Sequence, residues 1–186
     1  AKIAKKYKAQ VPFLRPANIS RDFSSNYEMI NHALIKLNKL KINPEIIVHI
    51  NPTTPLRDSK QIDKAIKCFI RNKNRATALR SVHEMPETAY KAFEISKKEL
   101  LKPILKKIKF LDKVNEPRQK FKKTYVANGI IDIYSVSFIK KKKVLLGSKV
   151  ILFITSPITE VDNINDFKYL EYQVIKNPKI SKVIFK

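Results

Sequence analysis

Two acidic residues spaced two apart, Glu160 and Asp162, stand just past an apolar run. In extended backbone the side chains of residues i and i+2 point the same way, so both carboxylates can meet one hard cation. Mg²⁺ is typically held by one or two carboxylates, with substrate phosphates completing its shell. The same residues also suit plain helix capping, with Asp162 or Asn163 as the cap and Asp166 in the first turn. A second stretch, "IIVHINPTTPLRDS" from Ile46 to Ser59, runs an apolar strand into a loop that holds two prolines. Pro52 and Pro55 stiffen that loop, so Asn51, Thr53 and Thr54 have little freedom left to lose on binding. Arg57 can make a contact at a helix start or face an anion. Lys91 in "AYKAF" and Arg118 in "PRQ" sit among apolar or restrictive neighbours, which suits a snorkelling side chain or an anion contact equally. Asn128-Gly129 reads as a turn, or as an Asn that faces a ligand at the start of the strand "IIDIY".

Other candidates carry less. His49 inside an apolar strand reads as a satisfied core histidine, and His32 and His83 lack metal-ligand spacing. No Ser/His/Asp nucleophile set is present. Cys68 is the single cysteine, which excludes a disulfide framework or a cysteine-rich zinc site, fits a reducing cytoplasmic setting, and reads as a small buried hydrophobe. Two glycines in 186 residues exclude a Gly-rich phosphate cradle within this chain. The apolar fraction of 44% is that of a folded domain with a real core. No apolar run approaches the ~20 residues of a membrane span, and no signal-peptide pattern opens the chain.

The net charge of +23 invites a nucleic-acid reading. Lysine supplies 32 of the 39 cations, however, and the lysines are scattered over nearly every segment. A groove reader concentrates arginine and aromatics on one element. The dense run Lys140–Lys143 reads as a solvated turn between strands. No specific nucleic acid or membrane partner is therefore expected, although a polyanion-binding module remains the competing reading.

The elements that must position these residues follow from periodicity. Residues 1–9 read as the end of a helix and Val11–Leu14 as a short strand, followed by a polar loop that contains Ser20, Asp22, Ser24 and Ser25 as candidate caps. Apolar residues at Met29, Ile30, Ala33, Leu34 and Leu37 predict a helix over 27–39. Residues 46–50 predict a strand covered on both faces, and Ser59 can cap a helix over 60–70. Strands follow over 77–82, in "YKAFEIS", over 130–134 and over 150–155, with a terminal helix over 165–175. Alternating strands and helical crossovers predict a mostly parallel α/β sheet with helices on both faces. Short self-contained pieces at about 94–127 predict an arm projecting from it. In such sheets ligands sit beyond the carboxyl ends of the strands, where the polar loops lie.

Taken in order, these loops resemble the acylneuraminate cytidylyltransferases, the CMP-sialic-acid synthetases and their relatives for other nonulosonic acids. The family pattern of R-P, Q-P-T-S-P-L-R, a lysine in a short strand, P-R-Q, N-G-x-I-x-I and D-I-D-T-x-x-D-F is matched here. The matches are Arg15-Pro16, "NPTTPLR", Lys91, Pro117-Arg118-Gln119, "NGIIDI" and "EVDNINDF". Kdo cytidylyltransferases usually carry a different loop at the "NPTTPLR" position and fit less well. The resemblance implies a Rossmann-like nucleotidyltransferase sheet, a dimerisation arm, a homodimer, and transfer of CMP from CTP to a nonulosonic acid sugar with Mg²⁺. It also implies roles. Arg15 and Ser25 would touch the cytidine, Asn51 and Thr53 would line the cleft, and Lys91 and Arg118 would meet the sugar carboxylate or phosphate oxygens. Asn128 would contact the sugar, and Glu160 with Asp162 would hold the metal. Asn51 stands where the family carries Gln, Glu160 where it carries Asp, and Val126-Ala127 where Arg-Pro is common, which favours a nonulosonate other than sialic acid. The family's first strand and its R-x-G-S-K triphosphate loop have no counterpart. Residues 1–186 therefore read as one domain lacking that part, inactive by itself, or as a degenerate paralogue.

Overall fold

The computed structural model describes residues 1–184. A four-stranded sheet lies at its centre. Its strands, in spatial order, are β1 (Ile46–His49), β5 (Tyr125–Ser135), β2 (Ala78–Glu84) and β6 (Val150–Ile154). β3 (Phe93–Ile95) and β4 (Leu101–Pro103) form a separate antiparallel hairpin. The strands β1, β2 and β6 run the same way, and β5 lies antiparallel between β1 and β2.

Helices cover both faces, and the reason is apolar spacing. On one face α2 (Asn26–Lys39) inserts Ile30 and Leu34, and α4 (Val136–Lys142) inserts Val136 and Ile139, against Ala78 and Tyr134. On the other, α3 (Ser59–Asn72) buries Ala65 and Phe69 against Leu79, Ile131 and Ile133. Full burial of such side chains stabilises by roughly 1.5–3 kcal/mol each. Three short or terminal helices, α1 (Lys2–Lys6), α5 (Ile164–Lys176) and α6 (Pro178–Ile184), complete the described chain. No described helix is long and apolar enough to cross a membrane.

Ser25 starts α2 through a capping box. Its Oγ accepts from the Glu28 N–H at 3.2 Å, while the Ser25 N–H donates to Glu28 Oε2 at 2.7 Å. Asp58, one residue before the expected Ser59, caps α3 by accepting from the Lys60 N–H.

Three expected elements change. Val11–Leu14 forms no strand; Pro12 has no N–H for a ladder. Lys91 lies in a single 3₁₀ turn at Ala89–Lys91 instead of a strand. Hydroxyl groups set up that turn, because Thr88 Oγ1 accepts from the Tyr90 N–H and Thr124 Oγ1 from the Ala89 N–H. Lys140–Lys143 is the last turn and cap of α4 and not a turn between strands, with Lys143 left-handed at φ 59°. Cations there complement the helix dipole.

β5 carries an irregularity that matters for the site. Between the pairs Arg80↔Asp132 and Val82↔Ala127, two steps along β2 correspond to five along β5. The Ile131 N–H inside this bulge is satisfied by Ser81 Oγ at 3.0 Å. The bulge pushes Asn128-Gly129 out of the ladder at the sheet end where the loops after β1 and β6 begin.

Candidate active site

The loop after β1 and the loop after β6 are stitched together. The Val161 N–H donates to the Thr53 carbonyl at 2.8 Å, and Thr53 Oγ1 donates to Glu160 Oε1 at 3.4 Å. Gly129 of β5 sits against this seam with φ 65°. A Cβ there would lie 2.6 Å from Thr54 Oγ1, 2.8 Å from Glu160 Oε1 and 3.4 Å from Asn51 Nδ2. Only glycine takes that backbone conformation without strain and lets three polar side chains approach so closely. The Thr54 hydroxyl is buried and has no hydrogen-bond partner among the described residues. Leaving it unpaired costs about 1–3 kcal/mol, and such orphans ask for an explanation.

Asn51, Thr53, Thr54, Glu160 and Gly129 thus form one constellation at the carboxyl ends of β1 and β6. Asp162 lies exposed just beyond it, before α5. Asn163 is the residue that caps α5, accepting from the Asn165 and Asp166 N–H groups, and Asp166 closes the box by accepting from the Asn163 N–H. The capping alternative is thereby settled on Asn163, with Asp162 contributing only its backbone N–H, donated to Asp166 Oδ2 at 3.0 Å. A cleft of ≈ 380 Å³ lies between the same two loops and α3 and α5, lined by Leu56, Asp58, Gln61, Ile130, Ile158 and Gln173 among others.

Arg118 belongs to a second cluster at the end of β2, with Glu84 and Lys123. Arg118 Nη2 donates to Glu84 Oε1 at 2.6 Å and Lys123 Nζ to Glu84 Oε2 at 2.7 Å. The Lys123 hydrogen bond first, then the charges of Lys123 and Arg118, hold the Glu84 carboxyl below its usual range. Both pairs border a cavity of ≈ 380 Å³ that also takes in Thr88 and Phe121. The half-buried turn carrying Lys91 is tied to the same segment by Thr88 Oγ1, which donates to the Lys122 carbonyl at 3.1 Å.

Other expected site residues make contacts within the protein. Asn128 is buried, with its carboxamide engaged there: Nδ2 donates to Thr155 Oγ1 at 2.6 Å, and Oδ1 accepts from the Ile130 N–H at 3.4 Å. Ser25 is occupied by the α2 capping box described above. Arg15 lies exposed in its loop, with Nε donating to Ser20 Oγ at 3.0 Å. His49 is the core histidine expected, half-buried with Nδ1 3.3 Å from the Tyr134 hydroxyl, and Cys68 packs partly buried against the α3 core. Sequence reasoning missed Glu84 as the partner of Arg118, because no local pattern links residues so far apart. It also missed the proximity of Gly129 to Glu160, for which an isolated Asn-Gly ahead of a strand was the one available signal.

The sheet, its flanking helices and its clustered post-strand loops define a Rossmann-like α/β fold. A solved CMP:2-keto-3-deoxy-manno-octonic acid synthetase complexed with CTP shares it, with a TM-score of 0.61 over 94% of this chain and 76% of that one, at 10% identity. Post-translational flagellin modification protein B of Campylobacter coli is 27% identical over 177 residues, which is 94% of this chain and 72% of that protein. No family model matches the chain. The shared fold is the one that the loop resemblance implies.

Proposed function

We propose that this chain is a cytidylyltransferase that couples CTP to a nonulosonic acid sugar, releasing pyrophosphate, in the cytoplasm. The observation that carries the reading is the seam at Gly129, where Asn51, Thr53, Thr54 and Glu160 converge at the carboxyl end of the sheet. The fold shared with a CTP-bound CMP-sugar synthetase and the identity with a flagellin modification protein support it. In the reaction the sugar's anomeric oxygen forms a bond to the α-phosphorus, and the bond from that phosphorus to pyrophosphate breaks in line.

The donors present fit a hard cation. Glu160, Asp162 and the unpartnered Thr54 hydroxyl offer oxygen only. No group of three acidic, His or Cys residues is placed to enclose a metal by itself among the described residues. A sparse oxygen set of this kind suits Mg²⁺ completed by phosphate oxygens. When bound, Mg²⁺ would neutralise charge on the phosphates. Asn51 and Thr53 orient the substrates within the stiffened loop. Lys91 and Arg118 meet the carboxylate or phosphate oxygens, Arg118 by exchanging Glu84 for a planar anion that suits its fork.

A homodimer is part of the reading. The β3–β4 hairpin exposes Ile95, Leu100 and Leu101 at 78%, 65% and 55%, and a two-stranded hairpin alone is marginal in water. A second copy covers it.

The test is pyrophosphate release by the complete gene product with CTP, Mg²⁺ and a panel of nonulosonic acids. Activity with at least one sugar, lost in Asp162→Ala, is the expected result. A folded protein that releases none across the panel overturns the proposal.

A further inference from the structure

We infer that Arg57 is a positioning residue for this site, clamping the Asn51 backbone across the loop. The inference relies on the proposed cytidylyl transfer only for the meaning of the site; the geometry stands apart from it.

Arg57 Nη2 donates to the Asn51 carbonyl, six residues back along the chain. The same carbonyl accepts from the Thr54 N–H at 3.2 Å, and the Arg57 N–H donates to the Pro55 carbonyl at 2.9 Å. One side-chain bond and one backbone bond therefore converge on the Asn51 carbonyl, and a second backbone bond turns the chain at Pro55–Arg57. The guanidinium is half-buried, its Nε is buried without a partner, and no carboxylate lies within ion-pair distance among the described residues. An unpaired, partly desolvated cation is costly unless it has a task.

Burial pulls the Arg57 pKa down, while Glu160, from the loop after β6, pulls it up. Arg57 also contributes to lowering His49 at the end of β1, behind desolvation and alongside Arg80. Lysine cannot substitute fully, because a point charge lacks the planar fork that reaches a carbonyl while leaving a second N–H free.

The test compares wild type, Arg57→Ala and Arg57→Lys of the complete gene product by three readouts. These are kcat and KM for CTP, Mn²⁺ affinity by titration, and hydrogen exchange of the Thr53 and Thr54 amides. Arg57→Ala is expected to lower kcat about 10–100-fold, the equivalent of one charged hydrogen bond, with a smaller change in KM. The same variant should speed amide exchange in the loop, and added guanidinium should restore part of kcat. Arg57→Lys should keep Mn²⁺ affinity near wild type while exchange stays fast. Wild-type exchange in a folded Arg57→Ala, or full kcat in Arg57→Lys, overturns the inference. If wild type itself releases no pyrophosphate, the functional reading fails while the exchange and Mn²⁺ comparisons still decide the clamp.

Discussion

Arg80 holds Asp132 through two parallel hydrogen bonds, Nε to Oδ1 at 2.9 Å and Nη2 to Oδ2 at 2.8 Å, across the β2–β5 ladder. Tyr134 also donates its hydroxyl to Asp132 Oδ2 at 2.9 Å, and His49 Nδ1 lies beside that hydroxyl. A polar row therefore crosses three strands just where the apolar core ends. Removing Asp132 strands a guanidinium and a buried phenol together. Arg80 keeps 34% of its side chain exposed, so water softens the loss. Asp132→Ala is expected to cost about 2 kcal/mol by denaturant unfolding. A double Arg80→Met/Asp132→Leu variant should recover most of it, since paired removal leaves no orphaned charge.

His49 gives the row a pH dependence. Desolvation is the main cause that holds its pKa below 6.5, opposed by Asp132 and reinforced by Arg80 and Arg57. The unfolded chain then binds a proton that the folded chain refuses, so stability rises with pH in this window. It should fall as pH drops below about 6.5 towards the folded pKa. Thermal melts of His49→Gln are expected to lose that slope, while a loss at lower pH from Glu28, Glu84 and Glu116, whose carboxyls the fold holds low, should remain.

Gly129→Ala tests the seam. The added methyl meets Thr54 Oγ1 and Glu160 Oε1 inside normal contact distance, in a left-handed backbone that alanine resists. The variant is expected to lose roughly 1–3 kcal/mol and to release pyrophosphate far more slowly, because Glu160 must move. Wild-type stability and activity would show that the loops do not close on β5.

Ser25 and Arg118 separate scaffold from site. Ser25→Ala should cost about 1 kcal/mol of stability through the lost cap, and Ser25→Asp should restore it. If Ser25 also touches the nucleotide, Ser25→Asp will regain stability but not CTP affinity. Arg118→Ala should leave the melting temperature nearly unchanged, since its pairing with Glu84 is exposed, and should weaken binding of the anionic substrates.

Residues governed by their neighbours along the chain were legible in the sequence. The helical spacing of Ile30 and Leu34 and the cap at Ser25 mark α2; the β-branched run at 46–48 marks β1. Those signals act within one or two turns of chain, and they also ordered the loops that carry the site. The insertion of β5 between β1 and β2 was not legible, because a buried strand of Ile and Tyr reads alike in either direction. Nor was the inward turn of Asn128, which depends on Thr155 twenty-seven residues away, or the seizure of Arg118 by Glu84. In each case a partner distant in the chain decided between two locally equal choices.

The β3–β4 hairpin joins β2 to β5, two strands that already lie side by side. Its ends therefore stay fixed whatever its length, and each doubling of such a connection adds only about 0.6 kcal/mol of closure entropy. The hairpin can lengthen, shorten or change its apolar tip over evolutionary time without shifting Asn51, Gly129 or Glu160. The exposed apolar tip and the polar seam are free to diverge separately.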